Sequence, residues 1–307
     1  VKVASTAVVA QMLGLTRDEI INAVSLAWVD GQSLRTYRHA PNTGSRKSWA
    51  AGDATSRGVR HALIAMAGEM GYPSALSAPK WGFYDVLFRG QPFKYTQAFG
   101  SYVMENVLFK ISFPAEFHAQ TAVECAMQLH PAVRDRIDAI ERIVIETQEP
   151  GVRIIDKTGP LANPADRDHC IQYMVAVPLI FGRLTAADYE DRVAEDPRID
   201  ALRSRMVVRE NPQFTADYYA ADKRFIGNAI QVFFRDGTGT ARVHVDCPIG
   251  HRRRRAEGYP VLVKKFESSI AAIFPERQCR RIEALFADTA RLDAMPVDEF
   301  VAQFVRN

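Results

Sequence analysis

Residues 228–247, NAIQVFFRDGTGTARVHVDC, decide the fold class of this chain. Two runs that favour β-strands flank Asp236-Gly237 and a further glycine, a combination typical of a hairpin. Residues 140–147, IERIVIET, alternate and are rich in β-branched side chains, as in a half-exposed strand. The central part of the chain is therefore predicted to contain a β-sheet.

Helical patterns surround these strands. Residues 1 to about 108 are predicted to be helical, and the segment from Thr16 to Glu19, TRDE, has the capping-box pattern of a helix start. A further helix is predicted at residues 169–181. We therefore predict an α+β fold in which residues 1–110 and 258–307 form an all-helical domain and residues 111–257 form an inserted α+β domain.

Composition limits the classes of protein that the chain could represent. Its 307 residues are 47% hydrophobic and 24% charged, and 39 Lys and Arg against 36 Asp and Glu give a net charge of +3, too balanced to indicate a nucleic-acid-binding protein. The four cysteines form no C-x-x-C pair, so no zinc knuckle or iron–sulfur run is predicted. Without an apolar run near the roughly 20 residues of a membrane span, or a signal-peptide pattern, we expect a cytoplasmic protein.

The chain begins without Met, inside an apolar helical pattern. We therefore expect Val1 to lie within a larger polypeptide.

A basic segment at residues 32–48 carries cationic side chains and no acidic one. Its candidates for ligand binding are Arg35, Arg38, His39, Arg46 and Lys47. Guanidinium groups bind carboxylates in a bidentate manner, and clustered cations lower the pKa of a neighbouring lysine. The segment is predicted either to bind a small polyanion or to be a solvated basic loop.

Residues 163–182, NPADRDHCIQYMVAVPLIFG, place five ionisable side chains before an apolar run. Asn163 or Asp166 could cap a helix start. His169 and Tyr173 are four residues apart, so on one helix they would project from the same face. A structural role for His169 remains the alternative to a functional one.

Two other segments contain candidate residues. His118 begins a predicted helix after Pro114, where a structural histidine is the alternative to a substrate contact. Residues 250–255, GHRRRR, lack interleaved aromatic residues and predict a surface or ligand-facing loop rather than a nucleic-acid site. The chain contains no P-loop, dinucleotide fingerprint, zinc-protease or nucleophile-elbow motif, so those enzyme classes lose their main support.

Five long blocks distributed over the chain resemble the MmgE/PrpD superfamily, in the branch formed by bacterial 2-methylcitrate dehydratases. The blocks are VDGQSLRTYRHAPNTGSRKSWAAGDATSRGV, WGFYDVLF, YVMENVLFKISFPAEFHAQTAVE, GPLANPADRDHCIQYMVAVPLIFGRLTAADYED and CPIGHRRRR. The resemblance implies a homodimeric hydro-lyase that needs no cofactor and no metal. It would remove water from the tricarboxylate 2-methylcitrate to give 2-methyl-cis-aconitate in propionate catabolism. It also implies that the inserted α+β domain is a lid.

The resemblance implies site residues as well. The lysine of the motif K-x-x-x-A-G-x-A matches Lys47, and the tyrosine of the QY motif matches Tyr173; we expect both to be catalytic. The residues expected to bind substrate are Arg35, Arg46, His118 and His169. The superfamily lysine before the lid-entry proline is displaced by one position here, to Lys110, so no role is assigned to Lys110.

The superfamily also places an aspartate and histidines on helices that precede this part of the chain. We therefore expect these residues alone to form an incomplete active site. The alternatives are an inactive fragment that acts as an anion-binding or assembly module, a citrate dehydratase and a cis-aconitate decarboxylase.

Overall fold

The computed structural model describes residues 1–31, 34–38, 42–95, 100, 103 and 107–306. The chain divides into two compact units, Val1–Gly100 (unit 1) and Ser101–Asn307 (unit 2). Unit 2 combines helices with a four-stranded sheet, which confirms the α+β fold class. It stays a prediction that residues 258–307 join residues 1–110 in one helical domain. The domain boundary at residue 110 stays a prediction as well.

Unit 1 is helical in its described part. Its helices are α1 (Lys2–Met12), α2 (Arg17–Val29), α3 (Arg46–Met66) and α4 (Phe83–Leu87). The predicted capping box is present: the Thr16 side chain accepts a hydrogen bond from the Glu19 amide, and the Thr16 amide donates to the Glu19 carboxylate at 2.7 Å. Both bonds satisfy amides that the first turn of α2 leaves free.

Small residues allow α1, α2 and α3 to pack closely. The buried cluster between them consists of Ala10, Ala23, Ala62 and Ala65. A Cβ at Gly58 of α3 would lie 3.0 Å from the Thr6 amide of α1. Any larger residue at position 58 would force the two helices apart, so the small residues of α3 set the spacing within unit 1.

The sheet of unit 2 has the strand order β2-β1-β3-β4. Its strands are β1 (Ile140–Thr147), β2 (Met206–Glu210), β3 (Asn228–Phe234) and β4 (Val243–Val245). β1 pairs in parallel with β2 and antiparallel with β3, and β3 pairs antiparallel with β4, which confirms the predicted hairpin. Gly237 turns it with φ +81°, a conformation that glycine adopts without steric cost.

Helices cover one side of this sheet. α5 (Gln120–Val133) packs against β3, β4 and α8 (Ile171–Phe181), and residues 171–180 of α8 are all buried. This burial explains the nearly unbroken apolar run that follows Cys170. The predicted helix begins at Ile171 rather than at residue 169, so the prediction that His169 and Tyr173 share one helix face is wrong.

The remaining helices of unit 2 are short or belong to its C-terminal part. They are α6 (Glu149–Ile155), α7 (Pro164–Arg167), α9 (Asp191–Ala194), α10 (Pro197–Arg203), α11 (Pro212–Tyr219), α12 (Arg255–Ala271), α13 (Glu276–Ala287), α14 (Thr289–Ala294) and α15 (Val297–Ala302). Short 3₁₀ helices span Phe117–Ala119, Ala186–Tyr189 and Arg252–Arg254. Ile270, Cys279 and Ile282 form a separate C-terminal cluster.

All four cysteines are buried free thiols, and burial raises the pKa of Cys125 to about 12. In the described part of the chain, His, Cys, Asp and Glu side chains form no group of three or more that could hold a metal ion. Over the same ranges, no helix is both long and apolar enough to cross a membrane.

Candidate functional site

The basic segment of unit 1 finds an acidic partner on the helix that follows it. The Arg46 guanidinium lies 3.0 Å from Asp53 and 4.3 Å from the centre of the Trp49 ring. Arg57 reaches the same carboxylate at 3.2 Å, and the hydrogen bond from Arg46 is the main cause that lowers the pKa of Asp53. Asp53 therefore fixes the direction of Arg46 and neutralises part of its charge.

The other predicted residues of this segment lie nearby in the chain. Lys47 is half-buried in the first turn of α3, where its amide donates to the Gly44 carbonyl at 3.1 Å. Arg35 is exposed, and the Arg38 guanidinium lies 5.5 Å from the centre of the Tyr37 ring. His39 lies outside the described residues. Binding of a polyanion by this segment stays a prediction.

A cavity of about 450 Å³ opens on unit 1. Its lining residues are Asp30, Asp53, Ser56, Arg57, Arg60 and His61. His61 is buried, its Nε2 lies 3.5 Å from Asp30, and burial is the main cause that lowers its pKa. Two aspartates and two arginines are among its lining residues, so their charges balance and do not favour an anion.

A cluster of hydrogen-bonded ionisable side chains lies in unit 2, around His118. The 3₁₀ turn Phe117–Ala119 buries its imidazole, which is 8% exposed. Glu116 accepts hydrogen bonds from the His118 amide at 2.8 Å and from Nδ1 at 3.0 Å. On the other side of the ring, Nε2 lies 3.3 Å from the Tyr218 hydroxyl on α11. A carboxylate, an imidazole and a phenol therefore form a chain of hydrogen bonds.

The electrostatic interactions around these three side chains keep Glu116 ionised. Burial opposes its charge, but the hydrogen bonds from His118 and the charges of His118 and His169 outweigh burial and lower the pKa of Glu116. The anion holds a proton on Nδ1 of His118. Burial raises the pKa of Tyr218, so its phenol stays neutral.

His169 lies on the same side of unit 2. It is buried in the turn between α7 and α8, with Nδ1 2.7 Å from Asp168, and its charge contributes to the lowered pKa of Glu116. The structure therefore places two predicted residues, His118 and His169, near one carboxylate. Sequence reasoning missed Glu116, although its position two residues before His118 was a local signal.

Tyr173 occupies a different environment. Its side chain is 2% exposed, its hydroxyl donates to the Asp188 carbonyl at 2.6 Å, and its ring stacks on Tyr189 at 5.8 Å between centroids. Burial raises the pKa of Tyr173 to about 12. The hydroxyl lies within the main hydrophobic core of unit 2. A catalytic role for Tyr173 stays a prediction, and this burial weighs against proton transfer from its hydroxyl.

A second cavity, of about 420 Å³, opens beside Tyr218. Its polar lining comes from Tyr218, Arg224, His251 and Arg252, and the rest of its lining is apolar. We call it the Tyr218 pocket. Arg252 is the first residue of the arginine run, which was predicted to be a surface or ligand-facing loop.

The other arginines of that run contact side chains of unit 2. Arg254 bridges Glu124 at 2.9 Å and Glu257 at 2.7 Å, and the Arg253 guanidinium lies 4.8 Å from the centre of the Phe225 ring. Through these contacts, the arginine run joins the start of α12 to α5 and to the loop that contains Phe225. Lys110 is exposed, and its carbonyl accepts a hydrogen bond from Lys265 at 2.6 Å.

Comparison with known proteins identifies the family. Residues 1–96 match the MmgE/PrpD N-terminal domain, and residues 113–290 match the MmgE/PrpD C-terminal domain. The chain is 67% identical over 99% of its length to "2-methylcitrate dehydratase" of Cupriavidus necator, covering 63% of that protein. It is also 67% identical over 99% of its length to "2-methylcitrate dehydratase" of Salmonella typhimurium, covering 64% of that protein. To "2-methylcitrate dehydratase, mitochondrial" of Yarrowia lipolytica it is 60% identical over 100% of its length, covering 59% of that protein.

The chain thus spans about three fifths of the length of these relatives. The two domain models together cover most of its own residues, in the order in which the two units follow each other along the chain. The chain belongs to the MmgE/PrpD family.

Proposed function

We propose that the protein containing this chain is a hydro-lyase that removes water from 2-methylcitrate to give 2-methyl-cis-aconitate, without a cofactor. One observation carries the proposal: 67% of the residues are identical over 99% of the chain to proteins named 2-methylcitrate dehydratase. Identity at this level favours dehydration of 2-methylcitrate over the alternatives of citrate dehydration, decarboxylation or a non-catalytic module.

The reaction moves one proton from carbon to a base and one proton onto the departing oxygen. The electron pair of the broken C–H bond forms the new double bond, while the electron pair of the C–O bond leaves with the hydroxyl, which is protonated to water. Negative charge develops next to a carboxylate, so the site needs cations that hold the carboxylates in place.

Arg46 and Lys47 fit that requirement. Because Asp53 and Trp49 hold the Arg46 guanidinium from two sides, Arg46 presents its N–H groups without losing much side-chain freedom on binding. Lys47 follows it directly at the start of α3, and Arg35 adds a third cation in the same segment. We assign the three cations to the substrate carboxylates. Either Tyr173 or a histidine is the predicted proton donor.

The experiment is steady-state dehydration by the protein containing this chain, followed through the ultraviolet absorbance of the unsaturated tricarboxylate. We expect Lys47→Ala to lower kcat/KM by about 100-fold, in the range of a lost catalytic group. Lys94→Ala, which removes an exposed lysine of the same unit, is the matched control and should match the wild type. Activity close to wild type in Lys47→Ala would remove Lys47 from the mechanism.

Tyr173→Phe belongs in the same assay, with Tyr189→Phe as its control because the two rings stack on each other. A loss of kcat in Tyr173→Phe alone, at temperatures where both variants are folded, supports a proton-donor role. Equal rates in the two variants would leave the donor role to a histidine.

The homodimer and the cytoplasmic location are proposals of the same kind. Light scattering after size-exclusion chromatography checks the first, and cell fractionation checks the second.

A further inference from the structure

We propose that the Tyr218 pocket binds a polycarboxylate anion through Arg224, Arg252 and the Tyr218 hydroxyl. The identity of the anion as a tricarboxylate rests on the proposed function, whereas the site itself rests on the geometry of unit 2. Its volume of about 420 Å³ falls within the range of small-molecule sites, roughly 300–1,000 Å³.

Arg224 is the first cationic contact. It lies between α11 and β3 with φ +51°, a left-handed conformation that is uncommon for a residue with a side chain. Among the described residues, its guanidinium forms no hydrogen bond or ion pair, and its charge acts on Tyr218. A guanidinium that lines a pocket without a protein partner suits a bidentate contact with a carboxylate.

Arg252 is the second cationic contact. Its guanidinium donates a hydrogen bond to the Asp222 carbonyl, which anchors the side chain while it lines the pocket. The neighbouring His251 has both ring nitrogens engaged: Nδ1 accepts from the Arg253 amide at 3.2 Å, and Nε2 donates to the Lys223 carbonyl at 3.0 Å. His251 is therefore a neutral wall residue, and the positive charge of the pocket comes from the two arginines.

Tyr218 connects the pocket to the buried Glu116–His118 pair. The Tyr218 hydroxyl lies 3.3 Å from Nε2 of His118 and also lines the pocket. When Nε2 donates to the phenol oxygen, the phenol proton is free to bond an anion in the pocket.

The charges near Tyr218 favour an anion. Arg153 and Arg224 act on the Tyr218 phenol, and Arg224 and Arg252 line the pocket. The buried carboxylate of Glu116 lies on the other side of the imidazole, where it accepts from Nδ1 at 3.0 Å.

The test uses tricarballylate, a tricarboxylate without a hydroxyl group that cannot be dehydrated. Isothermal titration calorimetry is carried out on the protein containing this chain, as wild type, Arg224→Gln and Arg252→Gln, and as Arg46→Gln to identify binding by the cations of unit 1. We expect each pocket variant to bind about tenfold more weakly or worse, in line with the loss of one charge-assisted contact, and Arg46→Gln to keep the pocket contribution. Arg235→Gln removes an exposed arginine of the same unit outside the pocket and should bind as the wild type does.

A second measurement addresses Tyr218. Tyr218→Phe is titrated with tricarballylate beside Tyr219→Phe, which removes the hydroxyl of an exposed neighbour outside the pocket. We expect weaker binding by Tyr218→Phe and wild-type binding by Tyr219→Phe.

Three results would overturn the proposal. They are a wild type that does not bind tricarballylate, wild-type affinity in both arginine variants, and wild-type affinity in Tyr218→Phe. Dehydration of 2-methylcitrate together with any of these would refute the pocket and leave the proposed function standing. Loss of tricarballylate binding in the variants of a protein that does not dehydrate 2-methylcitrate would refute the function and leave the pocket standing.

Discussion

Tyr173 and Tyr218 lie in the same unit but in opposite surroundings. Tyr173 is sealed in the core, where its hydroxyl donates to the Asp188 carbonyl and ties α8 to the turn Ala186–Tyr189. Tyr218 is half-buried on a pocket wall, with its hydroxyl beside the His118 imidazole. A main-chain carbonyl can only accept a hydrogen bond, whereas an imidazole nitrogen can accept or donate one. The Tyr173 hydroxyl therefore has one fixed acceptor, whereas the Tyr218 hydroxyl can also turn toward the pocket.

The contrast extends to the groups around each tyrosine. The core region has the stacked ring of Tyr189 and apolar neighbours from the sheet and helices. The pocket region has an ionised carboxylate, three histidines and two arginines within one part of unit 2. A sequence motif identifies the type of residue, but its surroundings decide what the hydroxyl group can do.

The largest effect is expected on the pocket side, at Glu116. Glu116→Ala removes the acceptor for both the His118 amide and Nδ1, and we expect the free energy of unfolding to fall by about 3 kcal/mol. Urea unfolding followed by circular dichroism measures the change. Glu141→Ala, at an exposed position of β1, is the control and should stay within about 0.5 kcal/mol of wild type. Equal stability of the two variants would show that the buried pair does not hold the turn.

A smaller effect is expected within the core. Tyr173→Phe removes the hydrogen bond to Asp188 and should lower the free energy of unfolding by about 1 kcal/mol. Tyr189→Phe removes a buried hydroxyl that has no hydrogen-bond partner among the described residues, so this variant should be neutral or more stable. Thermal unfolding of both variants makes the comparison. A destabilised Tyr189→Phe would contradict the hydrogen-bond assignment.

The smallest effect is the pH dependence that His251 confers. Burial, followed by the charges of Arg252 and Arg253, lowers its pKa below the ordinary value of 6.5. The unfolded chain therefore binds the proton more readily, so the stabilisation is present above pH 6.5 and is lost as the pH falls through the lowered pKa. Unfolding curves measured at decreasing pH should show a smaller loss of stability in His251→Gln than in wild type. Parallel pH profiles would contradict this assignment.

Local signals were sufficient for several elements. The hairpin at residues 228–247, the capping box at Thr16 and the cap at Asn163, whose side chain accepts from the Asp166 amide, all depend on neighbours within a few residues. The helix start at Ile171 was predicted two residues early, because the chain makes a turn after α7 that the apolar pattern does not show.

The site was less accessible from sequence. Tyr218 contacts His118 across 100 residues of chain, and only the packing of α11 near the turn Phe117–Ala119 brings them together. Arg224 has a left-handed backbone conformation that no local sequence pattern predicted. Asp53, the acidic partner of Arg46, lies about one helix turn beyond the basic segment. The residues of the segment itself therefore did not indicate this ion pair.

The most direct test of the proposed dehydration is the reaction itself. Purified protein containing this chain is mixed with 2-methylcitrate, and alkene formation and carbon dioxide release are measured in the same sample. We expect one molecule of unsaturated tricarboxylate to form for each molecule of 2-methylcitrate consumed, with no carbon dioxide released. Consumption without an alkene, or carbon dioxide released in proportion to the product, would contradict it.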